Sequence, residues 1–216
     1  MPKLKPSFYQ QPTLSVATAL LGKILVRRIA LPEQEVILKG KIVETEAYLA
    51  HPRYGDESCH AYRGMTARNA AMFGEAGTVY VYFTYGNHFM LNIVTEPKGE
   101  AAAVLIRALE PLTELDFLRA RRNTTKAIAL TNGPGKLTEA FMIDRSLNGA
   151  SLQSDFLYIE DAPTIPPTDI CTTTRIGITK GTHLPWRYFI KGNPFVSKAK
   201  PSEPSRIHLR NFYAES

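Results

Sequence analysis

Short runs rich in apolar, aromatic and β-branched residues, set between turn residues, recur along this chain and read as strands. Strands are predicted at Ile24–Ile29, Gly77–Phe83, Phe89–Thr95, Ala101–Leu109, Phe156–Ile159, Thr172–Ile178 and Arg187–Ile190. Val36–Leu49 reads as a longer strand or hairpin interrupted at Gly40. Tyr85-Gly86-Asn87, flanked by aromatic and β-branched runs, is a hairpin signal. Helical spacing is confined to Thr13–Leu21, Thr66–Phe73, Pro111–Arg122 and Pro134–Ile143. In the first of these Thr13 serves as N-cap after Pro12 and Gly22 as the stop. Strands outnumber helices and connections are short, which predicts one α+β domain with a mainly antiparallel sheet and a protruding β-hairpin. No Gly-x-Gly-x-x-Gly follows a predicted strand, so the usual dinucleotide fingerprint is absent.

The 216 residues, 44% apolar and 21% charged, are an ordinary globular mixture. Two cysteines exclude a disulfide framework and a four-cysteine zinc site. Met1–Pro6 has no apolar signal region, and no stretch of membrane-spanning length occurs. The expectation is a soluble, cytoplasmic protein.

The net charge of +6 is unevenly placed. Residues 109–174 are net acidic, whereas residues 175–216 carry eight basic and two acidic groups. The basic set is Arg175, Lys180, Arg187, Lys191, Lys198, Lys200, Arg206 and Arg210. Such a tract suits a polyanion, or is a solvated basic tail.

Four segments could carry chemistry. In Val43-Glu44-Thr45-Glu46-Ala47-Tyr48, a strand puts Glu44, Glu46 and Tyr48 on one face, neighbours about 7 Å apart. That is either a pair of working carboxylates or a charged strand edge. His60, within Asp56–Gly64, lacks metal-ligand partners at a suitable spacing, and Cys59 lacks an adjacent base. In Tyr80–His88, Tyr80 and Tyr82 face one way and Phe83 and Tyr85 the other. An aromatic at a turn either wedges between base pairs or packs on a nearby loop. Gly133-Pro134-Gly135-Lys136-Leu137 opens a helix whose free N–H groups and lysine suit a backbone phosphate.

In order along the chain stand Val43–Tyr48, His60 with Thr66-Ala67-Arg68-Asn69, Gly77–Gly86 with Asn92, and Ile106–Pro111. Gly133–Leu137, Arg175-Ile176-Gly177-Ile178 and Gly192–Ser197 follow. That succession resembles the alkyladenine (3-methyladenine) DNA glycosylase family in its compact bacterial form, over about Phe8 to Ser197. The resemblance implies a glycosylase domain over residues 1–197 followed by a basic C-terminal tail, 198–216. It implies a monomer without metal or cofactor, whose partner is double-stranded DNA containing alkylated purines.

Position by position, the resemblance makes Glu46 the general base that activates water against the sugar C1′. Arg107 and the carbonyl of Ile176 would help hold that water. Tyr48, His60 and Tyr82 would stack on and hydrogen-bond the flipped base, and Asn92 would obstruct the 2-amino group of guanine. Tyr85 would fill the gap left in the duplex, with Gly86, Arg68, Gly135, Lys136 and Arg175 on the DNA side. Glu44 is expected to be structural. An alkylated purine must leave the stack before its glycosidic bond can be attacked, and a cationic one stacks well on tyrosine rings. The chain departs from the family pattern in a longer loop between Tyr48 and His60, at Ser58-Cys59, at Met65 and Ala67, and over Asn87–Leu91. Two other readings are a non-catalytic nucleic-acid binder on the same fold and a glycoside hydrolase using Glu44 and Glu46. The hydrolase needs carboxyls on opposite sides of a sugar, which one strand face does not easily give.

Overall fold

The computed structural model describes residues 1–84 and 86–202; Tyr85, the expected duplex-filling side chain, and residues 203–216, which include Arg206 and Arg210 of the basic tract, lie outside the described residues. Two short helices, α1 (Pro6–Tyr9) and α2 (Thr13–Ala19), precede β1 (Ile24–Ala30) and the long β2 (Glu35–Leu49). Then come the hairpin β3 (Val79–Thr84) and β4 (His88–Val94), β5 (Ala102–Pro111), α3 (Leu115–Arg122) and α4 (Pro134–Ala140). The short strands β6 (Leu157–Glu160), β7 (Ile170–Thr173) and β8 (Arg187–Ile190) complete the fold. The sheet runs β3-β4-β5-β2-β1-β6, all pairs antiparallel, so the class is α+β. The second half of β2 outruns β1 and pairs instead with β8, which pairs with β7.

Alternation gives the sheet two different faces. Val79, Val81, Leu91, Ile93, Val104 and Ile106 point into the main core, covered by the helices with Leu137 and Phe141. Their alternates Tyr80, Val94 and Ala103 form a second apolar cluster with Cys59, Ala61 and Met72 on the other face. In β2 the parity switches: Val36, Leu38 and Ile42 enter the main core, but so do Ala47 and Leu49. A register shift around Val43, opposite one around Arg107 in β5, makes both sets face inward. A bulge inserts one residue and turns the strand over. Glu44, Glu46 and Tyr48 are thereby carried together onto the opposite face.

Several predicted elements differ. The strand runs through Gly40, where a Cβ would come within 3.1 Å of Phe141 and Leu109. Thr13 is the first helical residue of α2, not its cap; its N–H and hydroxyl both donate to Glu96, at 2.7 and 2.8 Å. The helix expected at Thr66–Phe73 shrinks to a 3₁₀ turn at Ala70–Phe73. Asn69 there accepts from Thr66 N–H and donates to the carbonyls of His60 and Gly64. Such side-chain bonds compete with helical ones. β5 continues to Pro111 and α3 starts only at Leu115. The strand expected to reach Ile178 ends at Thr173, because Arg175 turns inward. Residues beyond 197 do not leave the domain at once, since Ser202 N–H donates to the Arg175 carbonyl at 2.8 Å.

Candidate active site

Glu46 is fully buried and accepts three hydrogen bonds. Its Oε1 takes the backbone N–H of Ile176 at 2.7 Å. Its Oε2 takes Arg107 Nη1 at 3.0 Å and the Tyr48 hydroxyl at 2.9 Å. An ionised carboxylate offers about four lone-pair sites, so one remains, on Oε1. Burial, then the neighbouring Glu46 charge, pushes the Tyr48 phenol well above its usual range, which keeps it a donor. Burial alone would lower the Arg107 guanidinium, but Glu46 and Glu44 more than offset this and raise it.

Above these groups lies a pocket of about 290 Å³, at the small end for small-molecule sites. Tyr48, His60, Tyr82, Asn92, Arg107 and Ile176 all line it, as do Tyr80, Met72, Met90 and Leu105. The His60 ring meets Tyr82 edge-on at 4.4 Å, and its Nδ1 lies 3.0 Å from the Tyr80 hydroxyl. Burial among these rings, then the nearby Arg68, lowers the His60 pKa; burial pushes the Tyr80 phenol up to about 12. Asn92 is pinned by donation of its amide to the Tyr80 carbonyl at 3.2 Å.

The expected DNA-facing residues divide. Gly86 is exposed in the β3–β4 turn, and Arg68 is exposed with its guanidinium 5.7 Å from the Tyr82 ring centre. Lys136 is tied to Asn132 at 2.8 Å, while Gly135 is buried, its α-carbon facing the His88 ring. Arg175 does not face solvent at all. It is fully buried, donating to both Asp56 oxygens at 2.7 and 2.8 Å and lying 4.6 Å from the Tyr48 ring centre. Arg175 is not among the residues that line the pocket. Arg187 is likewise buried against Glu44, and Lys180 pairs with Glu57. Part of the basic tract therefore neutralises internal carboxylates, which charge counting along a chain cannot reveal.

The sequence reading assigns no site role to Asp56 or Tyr80. Asp56 sits in the long loop, and its contact with Arg175 spans 119 positions. Tyr80 shares a strand face with Tyr82, and that alternation was the available signal. Among the described residues no group of three or more His, Cys, Asp or Glu side chains could hold a metal, and no helix is long and apolar enough to cross a membrane.

The sequence pattern of the family described as methylpurine-DNA glycosylase matches residues 7–194, nearly all of this architecture. The chain belongs to this family. A relative from Prosthecochloris aestuarii is 54% identical over 199 residues, covering 92% of this chain and 93% of its own. One from Chlorobaculum parvum is 50% identical over 206 residues, covering 95% and 96%. One from Methanoculleus marisnigri is 46% identical over 198 residues, covering 90% and 98%. Each is provisionally named a 3-methyladenine DNA glycosylase. Family membership places the chain among the DNA glycosylases of base repair.

Proposed function

We propose that this protein flips alkylated or deaminated purines out of duplex DNA and hydrolyses the N-glycosidic bond with a water activated by Glu46. The observation that carries this is that the three residues donating to the buried Glu46 carboxylate, Ile176, Arg107 and Tyr48, all line the aromatic pocket. Tyr48, Tyr82 and His60 hold the extruded base, with Asn92 at the pocket wall against the guanine 2-amino group. Tyr85 occupies the vacated place in the duplex. A cationic purine is favoured by the electron-rich ring faces.

Water, held by the open lone pair of Glu46 with Arg107 and the Ile176 carbonyl, attacks C1′. Its proton passes to Glu46, and the C1′–N bond breaks with its electron pair on the departing base. A cationic base then leaves neutral without an acid. The products are free base and an abasic site, with no covalent intermediate and no metal or cofactor. We assign catalysis to residues 1–197 of a monomer and further DNA affinity to the basic tail 198–216, where Lys198 and Lys200 are exposed.

The test is release of free base from a duplex carrying one defined lesion, under single-turnover conditions. Removing a general base by Glu46→Gln slows such a step by about 10² to 10⁴, or roughly 3–5 kcal/mol of barrier. Release by both proteins at equal rates removes Glu46 from its role. Binding without release across cationic and neutral lesions leaves only the non-catalytic binder. The glycoside-hydrolase reading is disfavoured because Glu44 is fully buried and taken up by Arg107, Arg187 and Ser197.

A further inference from the structure

Arg107 lies between two carboxylates. It donates Nε to Glu44 at 2.9 Å and Nη1 to Glu46 at 3.0 Å. Glu44 is itself fully buried and accepts four hydrogen bonds in all. Its Oε1 also accepts Arg187 Nε at 2.7 Å and the Ser197 hydroxyl at 2.8 Å, and its Oε2 accepts the Ser197 N–H at 2.7 Å. Burial alone would raise the Glu44 carboxyl, but Arg107, Arg187 and the Ser197 N–H outweigh it and hold it below its usual range. The four charged groups are electrically balanced, two of each sign.

An arginine facing a single carboxylate tends to close on it bidentately, through two parallel N–H bonds. Such closure on Glu46 would fill the last open lone pair of Oε1, where the attacking water must sit. Capture of Nε by Glu44 works against it: the guanidinium is shared with a second carboxylate, and its bond to Glu46 runs from Nη1 to Oε2 alone. We infer that Glu44 is a positioning residue for base excision, acting through Arg107 to keep one lone pair of Glu46 open for water. The Ser197 segment belongs to the same device, because it fixes the Glu44 carboxylate from the far side. This inference rests on Glu46 being the base.

The experiment measures the single-turnover excision rate, lesion-duplex Kd and thermal midpoint for Glu44→Gln, Glu44→Asp and Ser197→Ala, with Glu44→Gln repeated in an Arg107→Lys background. Glu44→Gln is expected to slow excision at least about tenfold in the folded protein while Kd moves less than about threefold, a loss confined to the chemical step. In the Arg107→Lys background the same change is expected to add less than about twofold, since residues acting through one path are not additive. Equal losses in both backgrounds, or a lowered midpoint with an unchanged rate, overturn the inference and leave Glu44 a fold residue. Should Glu44→Gln not fold, Glu44→Asp decides. It keeps the charge but is one methylene too short to span Arg107 and Ser197 together, so several-fold slower excision supports the inference and a full rate overturns it. Glu46→Gln in the same series separates the two claims: a full rate there defeats the base assignment, whereas a silent Glu46→Gln beside fully active Glu44 variants defeats only the positioning role.

Discussion

The Tyr48 hydroxyl donates to Glu46 Oε2 at 2.9 Å, so the ring that borders the aromatic pocket and the buried carboxylate form one hydrogen-bonded unit. A base stacked on that ring would be placed relative to Glu46 through residues two positions apart on a single strand. Tyr48→Phe keeps the stacking face and removes the donor. A hydrogen bond to a charged group contributes about 1.5–3 kcal/mol, so single-turnover excision should slow roughly tenfold or more, with lesion-duplex affinity near wild type. An unchanged rate would mean that the phenol serves only the ring's orientation.

The buried position of Arg175 and the exposed position of Arg68 predict different salt behaviour. Each phosphate contact contributes about 0.9 to the slope of log affinity against log salt. Arg68→Ala should reduce that slope by about one contact. Arg175→Met should leave the slope alone and lower folding stability, since removing one partner of a buried ion pair costs about 3–5 kcal/mol. Salt titrations of duplex binding and urea unfolding check both.

His60 predicts a pH dependence of stability. Burial first, and Arg68 second, put its folded pKa below the unfolded value, about 6.5 for a free histidine. The unfolded chain therefore binds more protons in that window. Neutral His60 contributes stability above about pH 6.5, and the contribution is lost as pH falls through the folded value. The stability difference between wild type and His60→Asn should accordingly shrink between neutral and mildly acidic pH in urea titrations. A difference that grows on acidification would contradict the placement of this ring.

Gly135 predicts a coupling between α4 and the hairpin. A Cβ there would lie 2.7 Å from the His88 ring at its attachment point, which no swing of the ring's tip relieves. Overpacking of this kind costs about 1–3 kcal/mol, against about 1 kcal/mol gained in helix propensity. Gly135→Ala should be destabilising alone and closer to neutral, or stabilising, beside His88→Ala. Thermal unfolding of the two single variants and the double variant measures the coupling.

Much of this protein follows from local sequence. The hairpin strands β3 and β4, the short strand Arg187–Ile190, the start of α4 at Pro134 and the α+β class come from aromatic and β-branched runs, strand periodicity and turn chemistry, forces that act within a few residues. The same periodicity puts Glu44, Glu46 and Tyr48 on one face, and the ordered motifs point to the family. Failures occur where a distant partner overrides local preference. Glu96 caps α2 across 83 positions. Asn69 gathers the loop carbonyls that would otherwise leave a helix free to form.

What only the tertiary structure decided is which charges work and which merely neutralise each other. Paired register shifts at Val43 and Arg107 bring that arginine to the carboxylate face, and a shift of one residue in pairing is invisible to a pattern of alternation. Arg175 and Arg187 read as surface cations in a basic tract, yet they are buried against Asp56 and Glu44, 119 and 143 positions away. Sequence fixes which groups carry charge. Whether a charge meets solvent, DNA or a buried partner depends on contacts between segments far apart in the chain, and those form only when the sheet closes over the site.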